Sequence, residues 1–280
     1  MPELPEVDAV RRMIGPAMVR ARITAVDLRR PDLRRPFPRH FVARLTGQTV
    51  VALTRRAKYL LAPLSSGETL LMHLGMSGWF RVKRDTPSAR AAARQRAGRA
   101  PHDHVILHMS SGKAVIFNDP RRFGVMDLVR ADELGKHPVL SRLGPEPLSP
   151  EFDATALALA CRGRRSSLKV TLLDQRIVAG LGNIYASEAL HVAGLSPWRP
   201  AARLATATGA PREAAYRLTA AIKQVLEQAI ARQMNKAYRG QPFRVYDRED
   251  EPCLKKNCTG TIRRREQAGR STFYCAVCQR

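Results

Sequence analysis

Several things are scarce in this sequence, and each scarcity excludes something. No stretch approaches the roughly 18 consecutive apolar residues that span a bilayer. The opening Met1-Pro2-Glu3-Leu4-Pro5-Glu6 lacks the basic-then-apolar pattern of a secretory leader. The expectation is a cytoplasmic protein with no membrane partner. Acidic residues are few: 24 Asp and Glu stand against 48 Lys and Arg, a formal charge of +24. Such an excess calls for a polyanion, and nucleic acid is the expected partner because neutralising phosphates releases counterions. Cysteine is also scarce, five in 280 residues, and four of the five crowd into the last 28. A secreted disulfide framework would spread them along the chain, so metal ligation is the better reading. There is no internal repeat.

What is present divides along the chain. At 280 residues the sequence can supply two ordinary cores. Val7, Val10 and Ile14 form an apolar stripe at helical spacing behind a Pro-Glu opening, which predicts a helix from Leu4 to about Met18. Short β-rich runs follow at 49–54, 59–64 and 69–82, with a hairpin over 104–118 turning at Ser110-Ser111-Gly112. Residues 83–100 read as an exposed basic insertion. Gly144, Pro145, Pro147 and Pro150 mark a linker over 132–153, which closes an N-terminal β-rich domain at 1–131. Beyond it the pattern turns helical over 154–242, with Leu157, Ala160 and Cys161 in one segment. Leu218, Ile222, Val225, Leu226 and Ala229 form an amphipathic stripe in another. The fold class is therefore α+β.

The last section, 243–280, holds Cys253-x4-Cys258 and Cys275-x2-Cys278, sixteen residues apart. Two close thiolate pairs suit a tetrahedral structural Zn2+ site, and four protein ligands leave no open position for chemistry. Lys255, Lys256, Arg263, Arg264, Arg265, Arg270 and Arg280 surround the ligands. They read as phosphate contacts, with a solvated charged face as the alternative.

Pro2-Glu3-Leu4-Pro5-Glu6 at one end and the four-cysteine finger at the other resemble the formamidopyrimidine-DNA glycosylase family. Five internal blocks agree, in family order: Arg55-Arg56-Ala57-Lys58-Tyr59, His73-Leu74-Gly75-Met76-Ser77-Gly78, Asp119-Pro120-Arg121-Arg122-Phe123-Gly124, Leu143-Gly144-Pro145-Glu146-Pro147-Leu148 and Gly182-Asn183-Ile184-Tyr185-Ala186-Ser187-Glu188. The resemblance implies an N-terminal β-sandwich, a helix-two-turn-helix domain and a zinc finger, with damaged double-stranded DNA in the cleft. It also implies a monomer that excises oxidised purines and then cuts the abasic strand.

The resemblance assigns the roles. Once Met1 is trimmed, Pro2 is a nucleophilic terminal amine, a group that titrates near 7.7 to 8.0 against about 10.4 for lysine, although proline's secondary amine is somewhat more basic. Its attack on C1′ expels the base and leaves an iminium, which acidifies C2′ and permits β- and then δ-elimination. Glu3 is implied as proton donor to the opening sugar, and Glu6 as an organiser of the site or the first helix. Lys58 and Arg270 are implied to hold phosphates and assist elimination, and Asn183 to hold phosphate near the lesion. Met76, Arg121 and Phe123 match the set that fills the void behind an extruded base. His102 and Arg164 are further implied DNA contacts.

One segment departs from the family. Between Ile230 and Val245 the family carries a longer Gly-rich loop, so formamidopyrimidines, hydantoins or abasic sites are expected as better substrates than 8-oxoguanine. An endonuclease VIII-like lesion preference with the same chemistry is one alternative. Another is a non-catalytic damaged-DNA binding protein, which would not need Pro2, Glu3, Lys58 and Arg270 together. A zinc-ribbon adaptor explains only the last forty or so residues.

Overall fold

Helix α1 (Leu4–Met18) starts almost at the chain terminus because its first turn is built for it. Glu3 stands at the N-cap in extended conformation, proline occupies the opening turn, and the Glu6 carboxylate accepts the Glu3 N–H at 2.9 Å. The computed structural model describes residues 2–86, 101–234 and 243–280. Two units are formed, Met1–Ser141 and Arg142–Arg280. No helix among the described residues is long and apolar enough to cross a membrane.

The first unit adds strands β1 (Ile23–Leu28), β2 (Thr54–Arg56), β3 (Tyr59–Pro63), β4 (Glu68–His73), β5 (Trp79–Arg84), β6 (Asp103–Met109), β7 (Lys113–Asn118) and β8 (Val125–Arg130), with a short helix α2 (Phe41–Leu45). They pair as two four-stranded antiparallel sheets, β1-β6-β7-β5 and β2-β3-β4-β8. One core joins both: Val105, Leu107, Val115 and Phe117 meet Leu60, Leu70, Met72 and Leu128, with Val7, Ile14 and Met18 of α1 packed into the same cluster. This is the expected β-sandwich. β6 is buried on both faces, since Ile106, Ala114 and Ile116 form a separate small cluster.

Three strand readings need correction. Residues 49–54 contribute mainly isolated bridges, Arg22 to Thr49 and Val50 to Leu64, and the neighbouring strand is β2. The run 69–82 is two strands in different sheets, broken where Gly75 turns left-handed at φ +64. That glycine is enforced, because a Cβ would lie 2.4 Å from the Phe123 carbonyl carbon. Lys83 and Arg84 belong to β5, paired with Ala114 and Lys113, so the basic insertion begins later than the composition suggests. Its bulk, 87–100, lies outside the described residues, as does 235–242 of the segment ahead of the finger.

The second unit contains α3 (Ala154–Cys161), α4 (Leu168–Leu172), α5 (Asn183–Ala193), α6 (Glu213–Met234) and the hairpin β9 (Ile262–Gln267) and β10 (Arg270–Cys275). Asp153 caps α3 by accepting the Ala156 N–H at 2.7 Å. The stripe Leu218, Ile222, Val225, Leu226 and Ala229 is buried as its spacing predicts, against Leu157, Leu172, Tyr185 and Leu190. Cys161 is fully buried in this core, and burial raises its thiol to about 11, which makes it an inert apolar residue.

Candidate functional site

In the first unit Pro2 is half-buried and Glu3, the helix cap, is only 1% exposed. α1 packs against β2 and β3, the strands on either side of the turn that carries Lys58. That turn is tight, since Arg56 pairs with Tyr59 and leaves only Ala57, left-handed at φ 53, and Lys58 between them. Lys58 is itself buried. Its charge is felt at His73, which faces Tyr59 across the β3–β4 pairing at 4.8 Å between ring centroids. Burial, then the Lys58 and Arg34 charges, push His73 down to about 4. The neutral ring accepts the Gly75 N–H at Nδ1, 3.0 Å, and so fixes the start of the loop that bears Met76.

Met76 and Phe123 are large apolar side chains left 44% and 37% exposed. Arg121 stacks over Phe123, its guanidinium carbon 4.8 Å from the ring centroid. The structure therefore brings the three void-filling candidates onto two touching loops. His102 is exposed nearby in the chain, and its carbonyl accepts the Asp119 N–H at 2.9 Å.

In the second unit Arg270 opens β10 directly after a two-residue turn in which Ala268 and Gly269 are both left-handed, at φ 50 and 70. Its side chain is exposed. The next residue is clamped: the Ser271 carbonyl accepts Lys169 Nζ at 2.7 Å and Asn183 Nδ2 at 3.0 Å. Lys169 is 0% exposed and also donates to Thr272 Oγ1 at 2.7 Å. Asn183 thus serves the finger with one end of its amide. Its Oδ1 is buried without a hydrogen-bond partner. Arg164 is exposed and folds back, Nε donating to the Ala160 carbonyl at the end of α3, so one of its donors is already committed.

The sulfurs of Cys253, Cys258, Cys275 and Cys278 lie within 4.8 Å of one another and could hold a metal ion. Burial, joined by the neighbouring thiols, raises Cys278 well above the ordinary range. Cys275 falls below it: burial acts in the opposite sense but is outweighed by the backbone N–H groups of Cys278 and Val277. A cation among these sulfurs would favour thiolates throughout. His191 of α5 places Nε2 3.2 Å from Cys253 Sγ. Burial, with Arg244, Lys255 and Arg248 adding to it, pushes His191 down to about 4, so its ring is neutral at pH 7. Beside it, the buried Glu188 carboxylate accepts three successive backbone N–H groups, from Arg244, Val245 and Tyr246, each between 2.8 and 3.0 Å.

Lys169, His191 and the anchoring role of Glu188 escape a reading of the sequence. A lysine is almost never fully buried, and a lone histidine on a helix carries no spacing signal.

A helix-capping glutamate directly behind a second-position proline, on a β-sandwich, and a four-thiol hairpin in the second unit are the features that the resemblance to base-excision glycosylases calls for. Comparison with known proteins narrows this. Residues 1–126 match the formamidopyrimidine-DNA glycosylase N-terminal domain, and 143–238 match the H2TH domain of the same enzymes. Formamidopyrimidine-DNA glycosylases of Azorhizobium caulinodans and of Rhodopseudomonas palustris (strain BisA53) are 54% and 55% identical to this chain, with 100% of both chains covered. Among solved structures, the Lactococcus lactis enzyme bound non-covalently to DNA containing an AP site superposes with a TM-score of 0.83 at 29% identity, covering 100% of each chain. The Thermus thermophilus enzyme gives 0.80 at 36% identity, covering 99% of this chain and 98% of that one. The chain belongs to the formamidopyrimidine-DNA glycosylase family.

Proposed function

We infer that this protein excises oxidised purines from duplex DNA and then cleaves the abasic strand. The observation that carries the reading is Pro2, half-buried and placed by the helix cap beside a buried glutamate, in a chain of this family. With Met1 removed, the Pro2 nitrogen attacks C1′ and the bond to the base breaks. The base leaves as the C1′ carbon becomes an iminium, and Glu3 supplies a proton to the sugar ring oxygen as it opens. Loss of a C2′ proton then expels the 3′ phosphate, and a second elimination expels the 5′ phosphate. Lys58 and Arg270 hold those phosphates, and Asn183, His102 and Arg164 contact the strand. Met76, Arg121 and Phe123 occupy the vacated stack, where a wedge, an adaptable thioether and a base-edge donor are all useful.

The domain assignment that goes with this reading is a catalytic sandwich at 1–131, a linker at 132–153, a helical DNA-binding domain at 154–242 and a finger at 243–280, acting as a monomer in the nucleoid. The metal of the finger is zinc. The Cys253–Cys278 and Cys258–Cys275 sulfur pairs, 3.8 and 3.6 Å apart, match the edge of about 3.8 Å expected of a tetrahedron with Zn–S near 2.3 Å. Bound there, zinc cross-links the finger, while His191 orients Cys253.

The preferred lesions are formamidopyrimidines, hydantoins and abasic sites rather than 8-oxoguanine, on the shortness of the segment ahead of the finger. Single-turnover excision from matched duplexes tests the ranking. Equal or faster release of 8-oxoguanine than of formamidopyrimidine-guanine would remove it.

A further inference from the structure

Asp119 is 0% exposed, lies just past the end of β7, and makes no ion pair among the described residues. A buried carboxylate with no cation is costly unless donors satisfy both oxygens. Here each donor comes from a loop that bears a void-filling side chain. Oδ1 accepts the Ser77 hydroxyl at 2.6 Å, and Ser77 follows Met76. Oδ2 accepts the Gly124 N–H at 2.7 Å, and Gly124 follows Phe123. The Ser77 oxygen in turn accepts the N–H of Arg121 itself at 3.2 Å.

The backbone of Asp119 extends the pattern. Its N–H reaches the His102 carbonyl, and its carbonyl accepts the Arg122 N–H at 3.2 Å and pairs with His104 Nε2 at 2.8 Å. Arg122 is held left-handed at φ 57, which turns the chain between Arg121 and Phe123.

We propose that Asp119 is the positioning residue of the void-filling set: its carboxylate fixes the Met76 loop and the Arg121–Phe123 loop as one rigid unit before DNA arrives. The proposal rests on the reading of Met76, Arg121 and Phe123 as the residues that occupy the vacated stack. It gives the buried charge a purpose that packing alone does not. A neutral residue would cost less to bury, but one carboxylate can take strong bonds from both loops. Loops fixed beforehand lose less freedom when they enter the duplex, so extrusion of the base proceeds at lower cost.

The test separates steps that need extrusion from one that does not. Asp119→Asn keeps a single acceptor oxygen, and Ser77→Ala removes the ties to Asp119 Oδ1 and to the Arg121 N–H while leaving the carboxylate in place. Each is expected to slow single-turnover excision from a lesion duplex by about tenfold, the loss of one charge-assisted hydrogen bond. Strand cleavage of single-stranded abasic DNA, which needs no extrusion, should stay within about twofold of the parent. The double variant should be no slower than the slower single one, because both cut the same link. A 2-aminopurine beside the lesion should report less unstacking in each. Phe123→Ala and Met76→Ala run alongside. If those two leave duplex excision unchanged, the void-filling reading fails and the proposal with it. If they slow excision while Asp119→Asn and Ser77→Ala do not, positioning alone is overturned. Equal loss of excision and single-strand cleavage in the Asp119 and Ser77 variants would also overturn it, since that marks a general structural role.

Discussion

The sandwich core draws Leu, Ile, Val, Met and Phe from both sheets and α1, whereas the hairpin at the other end of the chain buries little beyond Val245, Ile262 and Phe273 beside its cysteines. Both regions carry charged side chains that the proposed function assigns to DNA. The sandwich can hold its loops by packing and by one buried carboxylate, because a full core lies underneath. The hairpin buries far less apolar surface, and under the proposed zinc reading it depends on thiolate cross-links, with Glu188 and Lys169 tying it to the helices. On that reading, one scaffold is held by its own apolar core and the other by a metal.

The strongest way to break this comparison is to remove the metal. Chelation, or Cys275→Ser, should unfold the hairpin, since a structural zinc site contributes on the order of 10 kcal/mol. The sandwich should keep its urea transition. Hydrogen exchange resolved by segment measures both, and equal loss of protection in the two regions would contradict the contrast.

A smaller effect concerns pH. His73 is held at about 4 against an ordinary 6.5, so between those values the unfolded chain binds the extra proton. Stability of the sandwich is complete above pH 6.5 and declines as pH falls toward 4, by up to about 3 kcal/mol. His73→Asn should flatten that decline in urea midpoints taken from pH 7.5 to 4.5.

Of similar size, Glu188→Ala leaves three backbone N–H groups without their carboxylate and should cost about 3 kcal/mol locally. Faster amide exchange at Val245 and Tyr246, with the sandwich unaffected, is the expected signature. The smallest effect is Arg270→Ala. Removing one phosphate contact should lower the salt dependence of DNA binding by about one unit of slope and weaken affinity roughly tenfold, read by titration at several salt concentrations.

Local signals carried the parts of this structure that could be read in advance. α1 was legible to its last residue because the Pro-Glu opening and the Val7, Val10, Ile14 stripe are both local. The thiol cluster was legible because its ligands sit in two close pairs. The break at Gly75 was not, since what forces it is the Phe123 backbone, some fifty residues away. Nor were the Asp119–Ser77, Lys169–Thr272 and His191–Cys253 links, which join residues far apart along the chain; Asp119 and Lys169 are also of types ordinarily found on the surface. Pro2 and Arg270 themselves stood out only through the motifs around them.

The central claim is that the nucleophile is the Pro2 amine and not the buried Lys58 ammonium. Borohydride reduction of the Met1-trimmed protein with abasic duplex, followed by peptide mapping of the trapped adduct, decides it directly. The account predicts that the sugar remnant is attached to the N-terminal peptide at Pro2 and that Pro2→Gly sharply reduces the yield. An adduct on Lys58 in the parent protein would contradict it.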